Sequence, residues 1–195
     1  GLAEVLKCGF IADPEILAIA DRYPQALLDP RSPELREVVE RAIRVKVDVV
    51  TDDLHETGGK GEHPGREALN YGHTFAHALE KATHYEMRHG DAVALGMVFV
   101  AELGRRSGHT DEALAVRHAE VLDAVGLPTR LGHPRVAGLE LTDHPFDEFL
   151  AAMRVDKKAR GAQLRFVVLD GLARPRTLAD PSIDDLRAAF EKVGV

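Results

Sequence analysis

Arg66-Glu-Ala-Leu-Asn-Tyr-Gly-His-Thr-Phe-Ala-His-Ala-Leu-Glu80 is the stretch on which the fold turns. It contains no proline, and Ala, Leu and Glu are good helix formers, so it predicts a helix. Arg66, Asn70, His73 and His77 fall at offsets of 0, 4, 7 and 11, one face of a 3.6-residue helix. That face carries a cation, an amide and two imidazoles, while Leu69, Phe75, Ala76 and Leu79 lie off the row and can pack elsewhere. A one-sided row of anion- and metal-binding groups on a mostly apolar helix costs stability unless a ligand or a wet cleft meets it. The helix alone is equally compatible with a solvated face bearing two incidental histidines.

Beyond a short break, His89-Gly-Asp-Ala-Val-Ala-Leu-Gly-Met97 opens a second, strongly apolar helix, with a histidine at its start to face back toward His73. The pair LNYGHTFAHALE and HGDAVALGM resembles the metal-site signature of the 3-dehydroquinate synthase family and its sugar-phosphate cyclase relatives. The opening GLAEVLK, then RVKVDVV and DKKARGAQLRFVVLDG, resemble three more blocks of that family in the same order, as far as about residue 180. Leu2, Ala76 and Asp91 stand where methionine, glycine and glutamate are usual in the family. None of the three departures touches a proposed ligand.

The remaining pattern predicts a mainly α, multi-helix bundle with one small β-hairpin near the C-terminus. Short helices are expected over 2–11, from the Asp13-Pro14 cap to before Pro24, and from Ser32-Pro33 through about Val50. The last has an apolar stripe of Val38, Val39, Ala42, Ile43, Val49 and Val50, with Lys46 in its middle. Such a lysine either snorkels to the surface or points into a polar site. Residues 54–65 are glycine-rich and polar and predict a loop, with His55 and His63 solvated. Further helices are expected over 92–106, 111–125 (ending at Gly126), 145–153 and 181–192, with 129–145 irregular. Leu164–Leu169 and Arg174–Leu178 are expected to pair across Asp170-Gly171.

The chain has 195 residues, a formal net charge of −7 and 45% hydrophobic residues, enough for a substantial core. No Lys/Arg cluster forms a basic face, so no nucleic-acid partner is expected. No apolar run reaches the length of a membrane span, so no membrane partner is expected either. The lone Cys8 suits a reducing, cytoplasmic setting and reads as a small buried side chain. Gly1 opens directly into an apolar helical pattern, without methionine or cap, and no strand followed by GxGxxG occurs. The family resembled has an N-terminal NAD-binding domain followed by a helical metal-binding domain. The expectation is therefore a single helical metal- and substrate-binding domain over 1–195, a fragment lacking the N-terminal NAD-binding domain.

Catalytic zinc takes three N or O ligands and leaves a position open. His73 and His89 supply two imidazoles. Glu4 is the third ligand by resemblance, since spacing does not single it out among so many carboxylates. The resemblance implies Zn²⁺ or Co²⁺ here, and NAD bound mainly by the missing domain. It makes Lys7 and His77 catalytic, His77 lying beside the leaving phosphate and assisting proton transfer. It assigns Lys46, Arg66, Asn70, Lys157 and Lys158 to a cationic lining for a small sugar-acid phosphate. A carboxylate and a phosphate need such a lining, although each of these residues taken singly is an ordinary surface group. Which of Lys157 and Lys158 faces inward stays open. His84, His109, His118, His133 and His144 have no matching role.

The implied activity is that of a shikimate-pathway lyase, 3-dehydroquinate synthase. That family cyclises 3-deoxy-D-arabino-heptulosonate 7-phosphate to 3-dehydroquinate with loss of phosphate. A homodimer is implied for the complete enzyme, and this chain alone is expected to be inactive. Two alternatives remain: a related cyclase of the valiolone or deoxy-inosose type, and a non-catalytic metal-binding partner domain.

Overall fold

A computed structural model describes residues 1–53, 64–141, 144–158 and 163–194, with the side chains of 155–158 outside the described set. In chain order the elements are α1 (Leu2–Ile11), α2 (Pro14–Arg22), α3 (Pro33–Asp52), α4 (His73–Ala82), α5 (His89–Arg106), α6 (Glu112–Ala124), α7 (Phe146–Lys158), β1 (Arg165–Leu169), β2 (Pro175–Ala179) and α8 (Ile183–Gly194). Among the described residues three short 3-10 turns interrupt them, of which Gly65–Asn70 matters most.

Helix α5 is the axis. Every residue from Asp91 to Gly104 is buried, as expected of a helix that is apolar nearly all round. Helices α1, α4, α6 and α8 and strand β1 pack around it, with α2 and α3 outside α1 and α7 outside α4. Phe75 of α4 stacks on Phe99 of α5 with ring centroids 4.3 Å apart, and Phe149, Phe166 and Phe190 extend that aromatic cluster. Asp13, Ser32 and Asp111 cap α2, α3 and α6 by accepting from the backbone N–H of Glu15, Leu35 and Leu114. The hairpin pairs antiparallel from Arg165↔Ala179 to Leu169↔Pro175. The mainly helical bundle with a C-terminal hairpin is thus the observed architecture, and Cys8 is fully buried in it.

Two local expectations are corrected. Residues 66–80 do not form one helix: Gly65–Asn70 is a 3-10 turn, Gly72 is left-handed at φ 78°, and α4 starts at His73. The cause is a close backbone crossing. A side chain on Gly96 of α5 would place its Cβ 2.9 Å from the carbonyl carbon of Gly72, and closer still to the oxygen, so the two chains meet glycine to glycine. Only glycine adopts that φ readily. Arg66 and Asn70 therefore do not continue the row of His73 and His77.

The second correction concerns α3. Its buried row is Val38, Ala42 and Val45, with Leu35 and Val49 packed partly against the core. Val39, Ile43 and Val47 lie on the exposed side. The spacing 38, 42, 45, 49 is the true helical stripe, and the cover offered by α1 and α2 is only one stripe wide. The expected loop over 54–65 falls mostly on residues 54–63, which with His55 and His63 lie outside the described residues.

Candidate metal centre

Three helix starts converge. Glu4 lies in the first turn of α1, His73 is the first residue of α4 and His89 the first of α5. Glu4 Oε1 is 3.2 Å from His73 Nε2 and 3.8 Å from His89 Nε2, and the imidazole rings lie 5.4 Å apart. One ligand atom from each of the three falls within 4.8 Å of the other two. A tetrahedral zinc with bonds of 2.0–2.1 Å separates its ligand atoms by roughly 3.3 Å. The carboxylate–imidazole distances are already close to that value, so two imidazoles and a carboxylate fit a divalent cation.

The rings are oriented from behind. His73 Nδ1 is 3.1 Å from the Tyr71 carbonyl, and His89 Nδ1 is 2.8 Å from Glu80 Oε1. His73 Nε2–H donates to Glu4. With an ion bound, Nδ1–H would donate in each case and both Nε2 lone pairs would be free for the metal, the arrangement that metal-binding histidines use. Glu4 is held on its other side by two lysines. Lys7 Nζ is 3.1 Å from each of its oxygens, and Lys46 Nζ is 2.8 Å from Oε2. Burial by itself raises the carboxyl pKa, but the His73 hydrogen bond and the Lys7 and Lys46 charges outweigh it and hold Glu4 ionised, far below the usual carboxylate range. Burial pushes Lys7 down against the pull of Glu4, whereas the hydrogen bond to Glu4 raises Lys46.

The two lysines differ in reach. Lys7 is only 2% exposed and also donates to the Leu69 carbonyl at 2.5 Å, which ties α1 to the 3-10 turn and occupies its ammonium. Lys46 is 45% exposed on the outer side of Glu4.

Residues 1–159 match the family described as 3-dehydroquinate synthase C-terminal. The chain belongs to that family. It is 50% identical over 99% of its length to a 3-dehydroquinate synthase from Arthrobacter sp., of which it spans 49%. It is 48% identical over 100% of its length to one from Streptomyces avermitilis, again spanning 49% of it. The chain thus spans about half the length of the curated relatives it matches. Its fold is shared with 2-epi-5-epi-valiolone synthase from Streptomyces hygroscopicus subsp. jinggangensis 5008, a structure with NAD+ and Zn²⁺ bound: TM-score 0.80 at 22% identity, covering 99% of this chain and 50% of that one. A 2-deoxy-scyllo-inosose synthase complexed with carbaglucose-6-phosphate, NAD+ and Co²⁺ aligns at TM-score 0.68 and 21% identity, covering 100% of this chain and 52% of that one.

Of the residues expected in the site of this dehydroquinate synthase-type fold, Glu4, Lys7, Lys46, His73 and His89 form one hydrogen-bonded cluster. His77 sits on its exposed rim, with its ring 5.7 Å from that of His73 and edge-on to it. Arg66 and Asn70 occupy the 3-10 turn joined to Lys7 through Leu69; Arg66 is half-buried, its backbone N–H bonded to Asp53, and Asn70 is exposed. Lys157 and Lys158 end α7, and their side chains lie outside the described residues. Glu80 was not singled out from the sequence, although it lies seven residues after His73 on the same helical face. His118 was also passed over. It is fully buried, stacked on Phe10 at 3.7 Å between centroids and paired with the Tyr71 hydroxyl at 2.8 Å.

Proposed function

We propose that the chain is the metal- and substrate-binding half of a 3-dehydroquinate synthase, acting on 3-deoxy-D-arabino-heptulosonate 7-phosphate. The observation that carries the reading is the convergence of Glu4, His73 and His89, from three helix starts, against two lysines. In it, Glu4, His73 and His89 hold a Zn²⁺ or Co²⁺ ion. Bound there, the ion would supply Lewis-acid polarisation of a substrate hydroxyl, and NAD would supply the hydride acceptor.

The chain's own residues bind, orient and move protons. Lys7 holds Glu4 ionised and aimed, because its ammonium is occupied by Glu4 and the Leu69 carbonyl. Lys46 has an exposed side from which to meet a substrate carboxylate or phosphate as well as Glu4. Arg66 and Asn70, on the adjoining 3-10 turn, extend the anion lining, and Lys157 and Lys158 are assigned to it by family resemblance alone, their side chains lying outside the described residues. His77, exposed one turn beyond His73, is placed to carry a proton to or from the phosphate end of the substrate.

The 47–50% identity to 3-dehydroquinate synthases favours this substrate over those of the valiolone and inosose synthases, whose likeness is one of fold. The complete enzyme works as a homodimer in the cytoplasm on this reading. Among the described residues no helix is long and apolar enough to cross a membrane.

The test uses the 195-residue chain with Zn²⁺ and NAD. It is expected to hold one zinc, to lose it in His73→Ala and His89→Ala, and to release no phosphate from the heptulosonate substrate until an N-terminal NAD-binding half is supplied. Zinc content unchanged in both variants, or robust turnover by the chain alone, would overturn the reading.

A further inference from the structure

His89 is the loosest of the three metal-facing groups. Its side chain is 49% exposed, against 14% for His73 and 20% for Glu4. An imidazole so exposed at a helix start has several staggered rotamers and two tautomers open to it, and only one combination sends an Nε2 lone pair toward Glu4 and His73. Among the described contacts, what selects that combination is Glu80.

Glu80 sits near the C-terminal end of α4, nine residues before His89, and its side chain is only 14% exposed. Its Oε1 is 2.8 Å from His89 Nδ1. Its backbone carbonyl meanwhile accepts from Tyr85 N–H at 2.7 Å and from the Thr83 hydroxyl at 3.2 Å. One residue thus anchors the connection between α4 and α5, where His84 and Tyr85 both take positive φ (51° and 65°), and the ring at its far end. The two imidazoles are also treated unequally. His73 has a neutral carbonyl behind it, whereas His89 has a carboxylate.

We propose that Glu80 is a positioning residue: its carboxylate locks His89 in the tautomer and orientation needed to take a divalent cation with Glu4 and His73. The inference rests on the metal reading above. It implies that zinc affinity depends on a side chain that does not touch the ion.

Zinc affinity is measured by chelator competition for the wild-type chain, Glu80→Gln and Glu80→Ala, with Co²⁺ absorption as a report on ligand geometry. Glu80→Gln keeps size and an acceptor but loses the charge, and is expected to weaken zinc binding roughly tenfold. Glu80→Ala is expected to approach roughly 100-fold and to alter the Co²⁺ spectrum. Imidazole nitrogen shifts of the metal-free protein above pH 8 give a readout that needs no metal: the Nδ1–H form of His89 should dominate in wild type and lose ground in Glu80→Ala. Zinc binding in both variants within about threefold of wild type, against the 10–100-fold typical of such partners, would refute the role of Glu80 while leaving the metal site standing. Failure of the wild-type chain itself to bind zinc would instead remove the reading on which this one rests. Should Glu80→Ala fail to fold, Glu80→Gln decides.

Discussion

Gly96→Ala tests the packing that creates the site. The new Cβ would stand 2.9 Å from the Gly72 carbonyl carbon, 3.2 Å from its Cα and closer still to its oxygen. Ordinary carbon–carbon contact is ~3.5–4.0 Å, so α5 and the Gly72 turn must separate by at least about 0.6 Å. Both sides are backbone, and Gly96 lies mid-way along the buried span of α5, Asp91 to Gly104, so neither can rotate out of the way. Overpacking of this kind costs about 1–3 kcal/mol, and a rigid backbone clash belongs at or above the upper end. For a domain of this size, about 3 kcal/mol lowers the thermal midpoint by roughly 6–12 °C. The damage is also directed, because His73 follows Gly72 immediately and should be displaced from Glu4. Thermal unfolding of the metal-free chain and zinc titration should therefore deteriorate together. Gly138→Ala, where a Cβ meets nothing within 4 Å, is the control and should move neither. A Gly96→Ala chain that melts within about 2 °C of wild type, a shift worth under 1 kcal/mol, and binds zinc normally would show that the two backbones do not cross as described.

His118 makes stability pH-dependent. Burial lowers its pKa from 6.5 to about 4, so between those values the unfolded chain binds the proton and the folded one does not. Its contribution is fully present above pH 6.5 and is lost as pH falls toward 4, by about 3 kcal/mol in all. Denaturant unfolding across that range should show a flatter slope in Tyr71→Phe/His118→Leu, which removes both hydrogen-bonding partners together; an unchanged slope would contradict the assignment. Phosphate should raise the thermal midpoint of the zinc-loaded chain more than that of the metal-free chain, and Lys46→Met should reduce the gain. Equal gains with and without zinc would show that the anion binds elsewhere.

What could be read from the sequence was whatever lies within one element or one local motif. The caps at Asp13, Ser32 and Asp111, the all-round apolar α5 and the hairpin across Asp170-Gly171 are local signals, and the structure has all of them. The break at Gly72 was not legible, because what forces it is Gly96, 24 residues away in sequence and opposite in space. Helical spacing therefore placed Arg66 and Asn70 on the histidine row, when they belong to the preceding turn. His118 was missed for the same reason: the partners that bury it, Phe10 and Tyr71, come from two distant segments. Glu80 is different. Its spacing from His73 and His77 was visible, but a glutamate ending an α-helical stretch carries no mark of the histidine it will meet across a turn.

Charge at the site is consistent with the proposed pairing of a divalent ion and an anionic substrate. The whole chain carries a net charge of −7, so general attraction cannot draw in a sugar-acid phosphate. Locally, Glu4 and Glu80 are matched by Lys7 and Lys46, which leaves the cluster close to neutral before a metal arrives. A divalent cation held by Glu4, His73 and His89, as proposed, would therefore be the surplus charge. Taking it in need not disturb Lys46, which bonds Oε2 rather than the Oε1 that faces the imidazoles, while Lys7 keeps Oε2 and the Leu69 carbonyl as acceptors even if Oε1 turns to the ion. Lys7, enclosed by Glu4 and Leu69, cannot follow a ligand, whereas Lys46 keeps an exposed side. On the proposed reading Glu4 would do more than ligate: it fixes the Lys7 ammonium beside the metal position and leaves Lys46 an exposed side toward an anion, so substitution at Glu4 is expected to abolish zinc binding and misplace both lysines at once.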